Sequence, residues 1–115
     1  MDWNPSQRFS AKWTKHLPVV HVAWEKVVIS TKHGDCHYKS GSPESIWQRE
    51  LDCVATGKEL PRKHPTLRRF WQSFSVVVGA SLGKETKIIY VEWHKAGACH
   101  GWPITEQELK QKRAL

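Results

Sequence analysis

Hydrophobic residues near the start of the chain recur at helical spacing. Phe9 and Trp13 lie four residues apart, so they share one face of a helix. Asn4 followed by Pro5 is typical of a helix start, because proline is tolerated in the first turn. This pattern predicts a first helix over residues 5–16.

Two later segments have the pattern of β-strands. Residues 19–30 are mostly apolar and β-branched, with Val20 and Val22 alternating with other side chains. Residues 87–93, KIIYVEW, give the clearest strand pattern in the chain. We therefore predict strands over both ranges, the first either continuous or with a bend near Glu25 and Lys26.

A second helix is predicted between two strong local signals. Ser42 followed by Pro43 is a typical helix start, and Gly57 is placed to end the helix. Near the end of the chain, Thr105 and Glu108 have the spacing of a capping box, which predicts a basic final helix.

The segment between these helices is ambiguous. From Pro65 to residue 82, apolar residues recur at spacings of three and four, which favours a long helix ended by Gly83. The alternative is a strand over residues 74–78, because three consecutive valines favour extended structure. We predict the helix.

The motif KHGDCH at residues 32–37 returns in weaker form as KAGACH at residues 95–100. Proline-led helix signals accompany both copies, so residues 4–56 and 64–115 are interpreted as two αβα repeats about a pseudo-twofold axis, with their strands adjacent. Coincidence among common helix and turn signals is the alternative. In either case the predicted fold is a small α+β domain spanning residues 1–115.

Composition supports one ordered domain. The chain has 115 residues, of which 39% are hydrophobic and 25% charged, which is typical of a globular protein with one core. The longest uncharged apolar run, residues 73–83, is shorter than the roughly 20 residues of a membrane-spanning helix. The first residues lack a secretory signal, and three cysteines fit no disulfide framework. These features predict a cytoplasmic protein with no membrane partner.

The Cys-His turns suggest a metal site. Zinc is commonly held by four thiolate or imidazole ligands in two close pairs. In the sequence, His33 with Cys36 and His94 with Cys99 form two such close pairs. The alternative is that these cysteines are buried packing residues and the histidines make turn hydrogen bonds. We expect no cofactor, with zinc as the alternative.

The same turns also contain groups capable of acid–base chemistry. His33, His37, His94 and His100 lie beside Lys32 and Lys95, and histidine with lysine can cleave RNA. A cysteine paired with a nearby histidine is a further possible nucleophile. No diagnostic catalytic spacing accompanies these residues, so an enzyme is the less favoured expectation.

The charge of the chain points to a polyanionic partner. Eighteen Lys and Arg against eleven Asp and Glu give a formal net charge of +7. A basic cluster lies where a helix is predicted to begin, which suits a phosphate. The candidate residues for binding nucleic acid or an acidic partner are that cluster and the basic and aromatic residues near turns: Arg62, Lys63, Arg68, Arg69, Lys32, Lys95, Trp93 and Trp102.

These observations favour a small, basic, non-enzymatic protein. It is expected to bind nucleic acid, or to regulate or inhibit a nucleic-acid-processing protein complex, in the manner of phage or mobile-element proteins. A toxin-type ribonuclease and a zinc-binding protein-interaction module are the alternatives.

Overall fold

The computed structural model describes residues 11–95 and 97–114. Its helices are α1 (Ala11–Thr14), α2 (Trp24–Ser30), α3 (Pro43–Thr56) and α4 (Glu106–Ala114). Its strands are β1 (His37–Tyr38), β2 (Lys58–Glu59), β3 (Leu67–Ser73), β4 (Gly79–Ser81), β5 (Lys84–Thr86), β6 (Ile88–His94) and β7 (Cys99–Ile104).

The strands form two antiparallel sheets within the described residues. One sheet has the order β2-β3-β6-β7, and the smaller sheet has the order β1-β4-β5. The predicted α+β fold is confirmed, as is the strand predicted over residues 87–93, which corresponds to β6. No helix in the described part of the chain combines the length and apolar composition required to cross a bilayer.

Helix α3 begins and ends where its local signals predict. The Ser42 hydroxyl accepts a hydrogen bond from the Ser45 backbone N–H at 3.2 Å, and Pro43 occupies the first turn. Gly57 has an extended backbone, so left-handed freedom is not the reason for a glycine there. A Cβ at this position would collide with the carbonyl oxygens of Cys53 and Trp71, so close packing requires the glycine.

The side chains of β6 alternate between the two faces of the larger sheet. Ile89, Val91 and Trp93 lie on the face toward α3, where they pack with Ile46 and Cys53 in the main core. Because successive side chains of a strand point to opposite faces, the alternate residues of β6 line the other face.

That second face is only partly covered. Helix α4 begins with the predicted capping box, in which Glu108 N donates to Thr105 Oγ1 at 3.1 Å and Thr105 N donates to Glu108 Oε1 at 3.0 Å. Leu109 of this helix packs near Tyr90. Since α4 has nine residues, it covers one end of the face and leaves Glu92 at the other end beside a cleft.

The strand predicted over residues 19–30 is wrong, because the second part of this range forms α2. A strand would need a neighbour for its backbone hydrogen bonds and a sheet for its side chains. Instead, Val20 and Val22 are 71% and 45% exposed, and His21 has a φ of 63°, which interrupts an extended chain. The buried residue of this helix is Val27.

The helix predicted from Pro65 to residue 82 is also wrong, since β3 and β4 occupy this range. All seven residues of β3 pair with β6, so tertiary hydrogen bonding overrides the local helical periodicity. Phe70 joins the core on one face, while Trp71 packs on the other. The alternative strand over residues 74–78 is not formed either, because these residues connect β3 to β4.

The predicted αβα repeat is wrong. The described part of residues 4–56 contains α1, α2, β1 and α3, whereas the described part of residues 64–115 contains β3 to β7 and α4. The two copies of the Cys-His motif share only their place before or at the start of a strand.

Of the first predicted helix, residues 5–10 lie outside the described residues, and α1 falls within the remainder.

A buried carboxylate, Glu50 of α3, joins several elements. Its oxygens accept hydrogen bonds from Trp13 Nε1 at 3.0 and 3.1 Å and from the Tyr38 hydroxyl at 2.6 Å. The backbone N–H of Gly101 in β7 also donates to it. Burial raises the pKa of Glu50 to about 7, although these donors favour the ionised form.

The raised pKa of Glu50 predicts a pH-dependent stability. The folded state holds this proton more tightly than the unfolded state, whose pKa is near 4.5. The stabilisation is therefore complete below the unfolded pKa and is lost as the pH rises through about 7.

Glu50→Gln removes this titration and leaves every other group in place. We compare the free energy of unfolding of the wild-type protein with that of E50Q. The difference, wild-type minus E50Q, should fall by about 2 to 3 kcal/mol between about pH 5 and about pH 8. Denaturant unfolding at both pH values measures it. A difference that does not change with pH would contradict the raised pKa.

Candidate active site

A cleft of about 580 Å³ opens at the uncovered end of the larger sheet. This volume is within the range of small-ligand sites, roughly 300 to 1,000 Å³. Its walls combine aromatic, basic and acidic side chains from β6, β7 and the α1 region: Trp13, Lys15, His16, Glu92, His94, His100 and Trp102.

The strand register places Glu92 between Arg69 and His100. Arg69 of β3 pairs with Glu92 of β6, which in turn pairs with His100 of β7. Paired residues of antiparallel strands point to the same face, so the three side chains form a row roughly 10 Å long across the sheet. His94 lies on the same face, with its Nε2 4.0 Å from Glu92 Oε1 and its ring centroid 6.1 Å from that of His100.

His100 is held in its neutral form by its surroundings. Burial lowers the pKa of His100, while the nearby Glu92 carboxylate opposes this shift. The His100 Nδ1 atom is buried and has no hydrogen-bond partner among the described residues. An imidazolium needs acceptors for both of its N–H groups, so this environment also favours the neutral ring.

His16 is oriented by the backbone of a neighbouring loop. Its Nδ1 lies 2.9 Å from the carbonyl oxygen of Cys36, and because a carbonyl only accepts, this nitrogen carries the hydrogen. The Nε2 atom of the neutral ring is then unprotonated. Burial lowers the pKa of His16, and its ring stacks on Trp102 with centroids 5.8 Å apart. His16 therefore supports one wall of the cleft as a neutral imidazole.

Glu92 is oriented from both sides. The Tyr90 hydroxyl donates a hydrogen bond to Glu92 Oε2 at 2.8 Å, while Oε1 faces His94. Tyr90 itself packs edge to face against Trp102, with centroids 5.2 Å apart. The Tyr90 hydroxyl thus orients the Glu92 carboxylate, which lies beside His94 and opposite His100 on the neighbouring strand.

Two of the four histidines predicted for acid–base chemistry, His94 and His100, come together in this cleft. His33 lies in an exposed turn, and His37 Nδ1 lies 3.0 Å from the carbonyl oxygen of Leu17. These two are not among the lining residues of the cleft.

Sequence reasoning did not identify Glu92 or His16. One signal could have identified Glu92. It is two residues from His94 in the clearest predicted strand, so the two side chains share a face. No comparable signal marks His16, whose place depends on how the chain after α1 passes the edge of the sheet.

The basic cluster is not at a helix N-terminus, so that part of the prediction is wrong. Arg62 and Lys63 lie in the loop after β2, while Arg68 and Arg69 belong to β3. Arg68 donates two hydrogen bonds to Glu59, at 3.0 and 2.8 Å. A contact of this cluster with a polyanion remains a prediction.

Arg69 has a structural role. Its side chain is 9% exposed and donates to the carbonyl oxygens of Pro61 at 3.0 Å and Lys112 at 3.3 Å. It therefore ties the loop after β2 to the last turns of α4.

The two candidate tryptophans have different environments. Trp93 is 7% exposed and lies in the main core, so the partly exposed ring expected there is wrong. Trp102 is half-buried and lines the cleft, where a ring face can contact a ligand. Lys32 is exposed in the turn after α2, and Lys95 is half-buried in the turn after β6; neither is among the residues that line the cleft.

The predicted zinc ligands lie in different environments in the structure. Cys99 is 1% exposed in the core, whereas His33 is exposed and His94 faces the cleft. Burial raises the pKa of both Cys36 and Cys99 to about 12, which disfavours the thiolate needed for a metal ligand or nucleophile. Within the described residues, no three His, Cys, Asp or Glu side chains form a group suited to a metal ion.

Zinc binding stays a prediction that metal analysis can test. Because a buried, protonated Cys99 is a poor ligand, we expect elemental analysis of untagged protein to give well below about one zinc per chain. Chelation should leave the unfolding temperature unchanged. About one zinc per chain that disappears in Cys36→Ser would contradict this expectation.

Comparison of the chain with protein-family models, curated proteins and solved structures finds no match. Inference about function therefore depends on the chemistry of the cleft. Its distinguishing features are the neighbouring imidazoles of His94 and His100 and the carboxylate of Glu92.

Proposed function

We propose that the protein binds RNA in this cleft and cleaves it by acid–base catalysis. The observation that carries the proposal is the cross-strand pair of Glu92 and His100, with His94 completing a cluster on one open face. A neutral imidazole accepts a proton, and a second imidazole beside a carboxylate is suited to donate one. The +7 net charge of the chain favours a polyanionic substrate.

The chemistry requires a ribose. The neutral His100 ring removes the proton of the 2′-hydroxyl, and the 2′-oxygen attacks the adjacent phosphorus. The bond from phosphorus to the 5′-oxygen of the next nucleotide breaks, and His94 protonates that leaving oxygen. The products are a 2′,3′-cyclic phosphate and a free 5′-hydroxyl. DNA lacks the 2′-hydroxyl and is not a substrate for this step.

Other residues of the cleft assist this step. The Lys15 ammonium is half-exposed at the cleft and paired with Asp35 at 3.3 Å, so it can also approach the charge that develops on the phosphate. The ring of Trp102 offers a stacking surface for a base, an interaction worth about 1 to 3 kcal/mol. His16 is a positioning residue, since it stacks on Trp102.

Substitution of the two central histidines tests the proposal. His100→Ala and His94→Ala should each lower kcat/KM on single-stranded RNA by about a hundredfold or more, while nucleic-acid binding is largely retained. His33→Ala is the matched control, because this histidine lies in an exposed turn outside the cleft. Denaturing gels with labelled RNA, beside DNA of the same sequence, measure cleavage. Unchanged cleavage in H100A, or equal cleavage of DNA, would overturn the mechanism.

The pH profile provides a second test with a defined sign. The general base must be unprotonated, and the pKa of His100 is lowered from 6.5, so the acid limb of kcat/KM should lie below this value. Glu92 opposes that lowering, so Glu92→Gln should move the acid limb to still lower pH. An acid limb that moves to higher pH in E92Q would contradict the assignment.

A second candidate function is nucleic-acid binding without catalysis, alone or as an inhibitor of a nucleic-acid-processing complex. The net charge of +7 and the Trp102 ring at the cleft favour it. In the same experiment it predicts intact strands and a native-gel shift that weakens steeply with salt, because each phosphate contact releases counterions. A protein partner would instead give neither cleavage nor shift.

A further inference from the structure

A second pocket, of about 340 Å³, adjoins the cleft. Glu92 lines both, so the pocket and the cleft form one surface across β3, β6 and β7. The walls of the pocket come from the loop after β2, from β3 and β6, and from α4: Lys63, His64, Leu67, Arg69, Tyr90, Glu92 and Lys112.

Arg69 holds the two sides of this pocket together. Its guanidinium donates to the carbonyl oxygen of Pro61 on one side and to that of Lys112 on the other. The loop that carries Lys63 and the helix that carries Lys112 are therefore held across the strands from each other. The Lys112 ammonium lies 4.2 Å from the ring centroid of Tyr90, which restrains it over the sheet.

The charge of the pocket is suited to an anion. Lys63, Arg69 and Lys112 contribute three positive charges, against the single carboxylate of Glu92 at the boundary with the cleft. The row from His100 to Arg69 spans roughly 10 Å, more than a single phosphate group covers. A ligand that contacts both the cleft and the pocket must therefore extend beyond one phosphodiester.

We propose that this pocket is a subsite for the phosphate next to the scissile one. The inference rests on the proposed cleavage of RNA in the cleft and adds the substrate class, which is single-stranded RNA at least three nucleotides long. An unpaired strand fits this arrangement because its bases are free to stack on Trp102 while its backbone follows the basic groups. Lys63 and Lys112 bind the neighbouring phosphate, and Arg69 positions them.

Two substrates with one cleavable bond each test the subsite. One is a ribodinucleotide, whose single phosphate is the scissile one. The other is a hexanucleotide with the same ribose step at its centre and deoxyribose elsewhere. The wild-type protein should have a higher kcat/KM on the longer strand, because only this strand places a second phosphate in the pocket.

The double substitution Lys63→Ala and Lys112→Ala should lower the ratio of kcat/KM on the hexanucleotide to kcat/KM on the dinucleotide about tenfold. It should also reduce the salt dependence of that ratio. The dinucleotide rate of the same variant reports whether the cleft is intact. Lys26→Ala combined with Lys84→Ala is the control, since it removes the same charge from exposed positions outside both the cleft and the pocket.

Each outcome is decisive. A wild-type protein that cleaves both substrates with equal kcat/KM overturns the subsite and leaves the proposed function in place. An equal fall of this ratio in the K26A/K84A control also overturns the subsite, because the net charge of the protein then explains the preference for the longer strand. Cleavage of neither substrate overturns the proposed function itself, and the subsite with it.

Discussion

The pairing of β3 with β6 along seven residues organises both faces of the larger sheet. It places Phe70, Val91 and Trp93 against α3 and sends Arg69 and Glu92 to the opposite face. A slip of β3 by one residue would turn Phe70 away from α3 and turn Arg69 toward the core. The buried face therefore fixes the register, and the register in turn aligns Arg69, Glu92 and His100.

The same arrangement explains why the cleft is chemically distinctive. The main core forms on one face, and α4 is too short to cover the other, so polar residues of β6 and β7 remain accessible beside buried aromatic rings. Partial burial lowers the pKa of His16 and His100 without removing them from the cleft. Trp13 connects this cleft to the core, because its indole N–H donates to the buried Glu50.

The basic residues divide into structural and accessible groups. Arg68 pairs with Glu59, and Arg69 bonds to two carbonyl oxygens, so both stabilise the region where β2, β3 and α4 meet. A planar guanidinium with several donors is suited to such fixed contacts, whereas lysine ammonium groups at the surface remain more mobile. Arg68 and Arg69 are therefore not part of the proposed contact with RNA, which is made by the cleft and by the lysines beside it.

Elements with local signals were predictable from neighbouring residues alone. The Ser42-Pro43 start of α3, the capping box of α4 and the alternation in β6 each depend on neighbouring residues, so they were predictable. His94 and His100 were also marked, through their place in the Cys-His turn. By contrast, the strand at residues 67–73 and the helix at residues 24–30 depend on contacts between distant parts of the chain. Apolar spacing there is compatible with either state. Residues 67–73 pair with β6, whereas residues 24–30 pair with no strand among the described residues. Glu92 and His16 became site residues for the same reason, because their positions depend on strands and loops brought together from distant parts of the chain.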